Sequence, residues 1–208
     1  MPELEHLFPL QSALRDLVEW LNAFPVRGVI IGGVAASILG RPRATQDVDA
    51  VVLIDDARWS DFLASGEQFG ISSRRPDVLE FARRSRVLLL RHESTGIQLD
   101  ISIGALPFEI EMIDNAHTLN IGGIPIPLPS AEDLIILKSV AHRPKDLADI
   151  EGILEAIPKL NLNRIRRWVR DFSNALELPE IYDDLQKILS AGKTQKHRAA
   201  TDKRKRRN

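Results

Sequence analysis

The chain has 208 residues, 44% of them hydrophobic and 27% charged, with a formal net charge of −1 and no cysteine. That composition suits a globular protein with a real core, and it excludes disulfides, thiolate metal sites and thiol catalysis. Glu3, Glu5, Arg15, Asp16 and Glu19 rule out a signal peptide in the first twenty residues, and no apolar run is long enough to cross a bilayer, so a cytoplasmic protein with no membrane partner is expected.

Leu10, Leu14, Leu17, Val18 and Leu21 recur at helical spacing and predict an amphipathic helix over 9–23. Val26 to Ile31, bounded by Gly32-Gly33, reads as a buried strand, and Val34 to Leu39 as a short helix closed by Gly40. A second strand is expected over Asp47 to Ile54, with Asp55 and Asp56 capping a helix that runs to about residue 68. Arg86–Arg91 and Ile97–Ile103 read as two strands joined by a Glu-Ser-Thr-Gly turn, followed by a helix over about 107–115 and a hairpin around Gly122-Gly123. Ser130-Ala-Glu-Asp133 is a capping-box pattern that opens a helix from Leu134 to Ala141. Helices at about 145–157, 161–174 and 178–191 follow with no strand among them. The expected fold class is thus α/β (α+β), with an α/β core at 1–128, a helical region at 129–192 and a basic tail at 193–208. The tail carries eight Lys or Arg against Asp202 alone, +7, which leaves −8 on the preceding 192 residues. Such a tail reads either as a contact for nucleic acid or as a disordered, solvated terminus.

Chemistry concentrates between Val29 and Asp49. Alternate residues of a strand share a face, so Asp47 and Asp49 point the same way. Two carboxylates that close repel each other unless a cation lies between them, and hard oxygen donors suit Mg²⁺ together with substrate phosphates. If the strand began early, Arg41, Arg43 and Thr45 would join that face. The Gly32-Gly33 turn frees backbone N–H groups at a helix start, a place for a phosphate. A third carboxylate is required if one metal activates a hydroxyl while another clamps a triphosphate. Asp100 is the candidate: Ile97, Leu99, Ile101 and Ile103 take one strand face, Asp100 and Ser102 the other.

A strand ending in Gly-Gly, an Asp-x-Asp strand and a later single Asp among apolar residues resembles the polymerase-β-like nucleotidyltransferases. The fuller set Gly32, Gly33, Gly40, Arg43, Thr45, Asp47 and Asp49 is similar to the AbiEii-type toxin branch. So is Lys138-Ser-Val-Ala-His-Arg-Pro-Lys-Asp146-Leu-Ala-Asp149; together the two motifs span roughly residues 26–155. Val34 departs from the pattern, standing where many members carry Ser. The resemblance implies a polymerase-β-like core, a small mixed sheet flanked by helices, followed by a helical bundle. It also implies transfer of a nucleoside monophosphate from an NTP to an acceptor hydroxyl, releasing pyrophosphate. Asp47 and Asp49 would bind two Mg²⁺ ions, with Mn²⁺ as a substitute, and Asp100 would complete the site and help deprotonate the acceptor. Gly32, Gly33, Arg43 and Thr45 would bind nucleotide, Lys138 the triphosphate, and Asp146 would position Lys138 or meet the acceptor. An RNA acceptor such as a tRNA 3′ end, a toxin–antitoxin or phage-defence setting and a cognate antitoxin follow from the same branch.

Blander accounts stand beside each assignment. Asp-x-Asp can be solvated charge, Arg43 and Thr45 turn residues, and Lys138 a side chain snorkelling to water. Asp146 and Asp149 can be acids at a helix N-terminus, and His142 a helix-end residue. Arg164, Arg166, Arg167 and Arg170 with Trp168 suggest either an RNA-facing helix or a solvated face. The alternative functions are nucleotidylation of a protein or small molecule, and a non-catalytic nucleotide- or RNA-binding module.

Overall fold

The computed structural model describes residues 7–191, so the expectation for the basic tail lies outside the described residues. They fall into two compact units, with the chain crossing at Ser37–Ile38, Pro42–Arg43 and Ser130–Ala131.

The first unit is built on a five-stranded mixed sheet. In chain order its elements include α1 (Leu7–Ala23), β1 (Arg27–Ile31), α2 (Gly32–Leu39) and β2 (Asp47–Leu53). They continue with α3 (Trp59–Gly66), β3 (Ile71–Ser73), α4 (Val78–Ser85), β4 (Val87–His92), β5 (Gln98–Ile103) and α5 (Pro107–Asp114). β6 (His117–Ile121) and β7 (Ile124–Leu128) form a hairpin whose turn places Gly122 and Gly123 at positive φ. The sheet order is β1-β2-β5-β4-β3, with β2 and β5 parallel and every other pair antiparallel. Alternation sorts the side chains. Val48, Ala50, Val52, Leu88, Leu90, Leu99, Ile101 and Ile103 are all at most 2% exposed. Each such burial is worth about 1.5–3 kcal/mol for a large aliphatic side chain, so this face fixes the register. Trp20 of α1 stacks on Phe62 of α3 at 4.1 Å between centroids and donates its indole N–H to Ser65 at 2.8 Å.

β2 begins at Asp47 as expected, so Arg41, Arg43 and Thr45 do not join its face; Pro42 has no N–H for a ladder. One expectation needs correction. Asp55 caps nothing with its side chain: a short 3₁₀ turn, Asp56–Arg58, precedes α3 instead of one continuous helix. Sequence reasoning also missed β3 and α4.

The second unit is helical: α6 (Ala131–Ala141), α7 (Pro144–Ala156), α8 (Leu162–Leu176) and α9 (residues 179–191). Ile165 and Val169 of α8 and Ile181, Leu185 and Leu189 of α9 recur at the helical repeat and are buried. Arg166 donates to Gln186 and Arg170 to Tyr182, tying those two helices together. Residues 38–42, which include the last two residues of α2, belong to this unit as well: Arg41 forms a forked pair with Glu155, and its backbone lies against Gly152. Among the described residues no helix is long and apolar enough to cross a membrane.

Candidate functional site

On the sheet face opposite the apolar one, Asp49 is the register partner of Asp100, and Asp47 lies two residues before it, opposite Gln98. Parallel partners on adjacent strands share a face about 5 Å apart, so three carboxylates line one strip of β2 and β5. Their mutual influence is visible in Asp100. Burial raises its carboxyl above the usual range, the nearby Asp47 charge raises it further, and only Arg74 pulls it down.

Gly32 and Gly33 form the facing wall. Gly32 adopts φ 65°, which glycine takes without steric cost, and a β-carbon there would collide with the Asp49 carboxylate. A β-carbon at Gly33 would collide with the Thr45 hydroxyl and come within 3.3 Å of an Arg43 guanidinium nitrogen. The close approach of Gly32 and Gly33 to Asp49, Thr45 and Arg43 is therefore what their missing side chains permit. Both lie at the start of α2, whose first N–H groups have no intrahelical partner. Thr45 donates its hydroxyl to Asp47 Oδ1 at 2.7 Å and so fixes that carboxylate. Ser37 donates to the Arg43 carbonyl at 3.0 Å, anchoring the loop that carries Arg43 and Thr45.

A residue not foreseen from sequence joins this face. Arg74 follows β3 and extends its ladder by donating its N–H to the Leu89 carbonyl, Leu89 being the register partner of Asp100. Its guanidinium reaches past Leu89 to pair with Asp100 and donate to Gln98 at 2.5 Å. The signal was hidden because an edge strand of three residues leaves no readable period.

Among the described residues no three His, Cys, Asp or Glu side chains are gathered tightly enough to enclose an ion. Asp100 is turned to Arg74 and Asp47 to Thr45. The donors nevertheless fit Mg²⁺: all are hard oxygens, and they share one face of two adjacent strands.

Lys138 and Asp146 lie in the helical unit. Lys138 of α6 is 4% exposed and donates to Asp146 Oδ1 at 2.9 Å and Asp149 Oδ2 at 2.8 Å, so it does not snorkel to water. Asp146 is fully buried and also accepts from Arg143 Nε at 2.6 Å and from the Arg143 backbone N–H. Burial alone would raise its carboxyl, but hydrogen bonds and charge from Arg143 and Lys138 outweigh that and hold it below the usual range. His142 follows the end of α6 at φ 51° and bonds Asp184 at 3.2 Å, a helix-end residue in contact with α9.

A mixed sheet with carboxylates on adjacent strands and a glycine turn at a helix start defines the nucleotidyltransferase class of fold, and known proteins agree. Residues 10–187 match the family described as nucleotidyl transferase of unknown function (DUF2204), and the chain belongs to that family. A comparison with curated proteins gave no match. Among solved structures, the chain is similar to an antigenic nucleotidyltransferase-like protein from Paracoccidioides brasiliensis, at 18% identity and TM-score 0.52, covering 85% of this chain and 92% of that one. It is also similar to the antibiotic-resistance factor ANT(2'')-Ia in solution, at 15% identity and TM-score 0.56, covering 82% and 95%. ANT(2'')-Ia in complex with adenylyl-2''-tobramycin matches at 17% identity and TM-score 0.55, covering 80% and 99%. At such identities the likeness is one of fold. The enzyme is a nucleotidyl transferase, and an NTP is its substrate.

Proposed function

We propose that this enzyme is metal-dependent and moves a nucleoside monophosphate from an NTP onto the hydroxyl of an RNA 3′ end, tRNA included. The observation that carries the reading is the register of Asp49 beside Asp100 with Asp47 on the same strip. Mg²⁺ ions held by Asp47, Asp49 and Asp100, or Mn²⁺ in their place, would supply charge for the triphosphate and acidify the acceptor hydroxyl. The chain's own groups do the rest. Backbone N–H groups at Gly32 and Gly33, with Arg43 beside them, bind phosphate oxygens. Thr45 holds Asp47 in place. Asp100, beside Asp49 on the neighbouring strand, takes the proton of the attacking hydroxyl. The acceptor oxygen bonds the α-phosphorus, the bond to the bridging oxygen breaks, and pyrophosphate leaves with its electron pair. Lys138 and Asp146 serve the helical unit, because Asp146 and Asp149 already supply the anions that a buried Lys needs.

The RNA acceptor is supported by the +7 tail at residues 193–208 and by the resemblance to AbiEii-type toxins, which also suggests a cognate antitoxin and a phage-defence setting. A small-molecule hydroxyl is the second reading, favoured by the adenylyl-2''-tobramycin bound to the fold neighbour. Each labelled NTP, incubated with Mg²⁺, total RNA and a panel of small polyols, separates them by where the label appears. Label in RNA is expected, and Asp49→Asn is expected to abolish it at an unchanged melting temperature. Near-parental transfer by Asp49→Asn would overturn the mechanism.

A further inference from the structure

Arg74 is a cation to which the proposed reaction gives no task. It lies on the carboxylate face, on the edge of the sheet remote from Gly32, and its side chain is only 24% exposed. Two of its three guanidinium nitrogens are committed, one to Asp100 and one to Gln98, while Nε is buried with no partner. A buried N–H without an acceptor is costly, so this arrangement is not the best one open to the side chain. Asp100 is engaged as well, since its Oδ1 accepts from Arg74 and that oxygen is then not open to a cation.

We propose that Arg74 is a substrate-phosphate ligand parked on Asp100: a divalent cation at the carboxylates displaces it, and the freed guanidinium then takes a phosphate of the bound NTP. This rests on the metal-dependent reading above. Two arguments carry it. A guanidinium and a divalent cation competing for one carboxylate at about 5 Å repel each other even at the high effective dielectric of a protein surface. A planar fork with five donors matches phosphate as well as it matches carboxylate, so release from Asp100 leaves it suited to one ligand class in particular. The exchange couples the two ligands, because NTP gains its Arg74 contact only where the metal has claimed Asp100.

The test is binding, without turnover, using Mn²⁺ and a non-hydrolysable ATP analogue on Arg74→Gln and on the parent chain. Mn²⁺ alone, followed by electron paramagnetic resonance, is expected to bind the variant about tenfold more tightly, the worth of one charge-assisted contact removed from its competitor. The ATP analogue in saturating Mn²⁺ is expected to bind it about tenfold more weakly. Opposite signs are the signature. A residue that only supports the fold weakens both, and a simple block on the metal site strengthens both; either result, or no change in one ligand, overturns the proposal. An Asp49→Asn control keeps the two readings apart. If the parent chain shows no Asp49-dependent Mn²⁺ binding, the metal reading itself fails and takes this one with it.

Discussion

Lys138 shows how one buried charge sets the chemistry around it. Its ammonium sits between Asp146 and Asp149, and Asp146 also holds Arg143, so two anions and two cations share the site. Removing one partner of a buried pair leaves uncompensated charge and costs about 3–5 kcal/mol. Lys138→Met is therefore expected to lower the melting temperature steeply, whereas a triphosphate ligand would lose turnover about 10²-fold with an unchanged melt. Thermal melts beside single-turnover rates read the difference. The pH dependence has a definite sign. The Asp146 carboxyl is held below its ordinary value in the folded state, so its contribution is whole above about pH 4 and drains away as pH falls through the lowered value. Asp146→Asn should flatten the acid limb of the melting curve below about pH 4. The family resemblance already offered Asp146 as a residue that would position Lys138 or meet the acceptor. The depth of burial did not show, because a Lys in an apolar stripe reads the same whether it reaches water or meets an anion inside.

At the level of elements, the site depends on how β1 hands over to α2. The turn requires φ 65° at Gly32, and the Asp49 carboxylate occupies the space a side chain would need. Gly70 offers an internal comparison, with φ 66° but no neighbour closer than 3.9 Å. Alanine at either position pays the left-handed strain of about 1–2 kcal/mol. Only Gly32→Ala also collides with Asp49, so it is expected to lose more stability than the Gly70 variant and to lose transfer, which the Gly70 variant keeps. The alternation of Asp47, Val48, Asp49 and of Leu99, Asp100, Ile101 made the carboxylate face legible, since a strand with one apolar face reports its own orientation. The 71–85 segment was opaque for the opposite reason. Ile71–Ser73 is too short and too polar to show a period, and α4, with Arg83 and Arg84 in its last turn, has one buried residue, Ala82. Arg74 went unnoticed with them.

On the scale of the whole molecule, charge divides unevenly along the chain. The preceding 192 residues carry a net −8, so residues 193–208 are the densest block of counter-charge for RNA phosphates if RNA is the acceptor. Deleting them is expected to weaken RNA binding and to flatten its dependence on salt, while transfer at saturating RNA survives. Equal binding and an unchanged salt slope in the truncated protein would reduce the tail to a solvated terminus. The broad division into a strand-bearing segment and a later helical one was legible because strand-length apolar runs stop after the hairpin and capping signals begin.

The assignment of residues 38–42 to the helical unit has a practical meaning for anyone who would recombine such enzymes. Five residues that precede the Asp-x-Asp strand in the chain carry Arg41, whose partners Glu155 and Gly152 lie more than a hundred positions downstream. The two units are interleaved in the gene though compact in space. A chimera joined at a single point near residue 130 would pair the Arg41 of one parent with the α7 of another. Swapping the helical unit between relatives thus calls for a two-piece graft, 38–42 together with everything after Ser130, and single-crossover libraries should yield few folded recombinants.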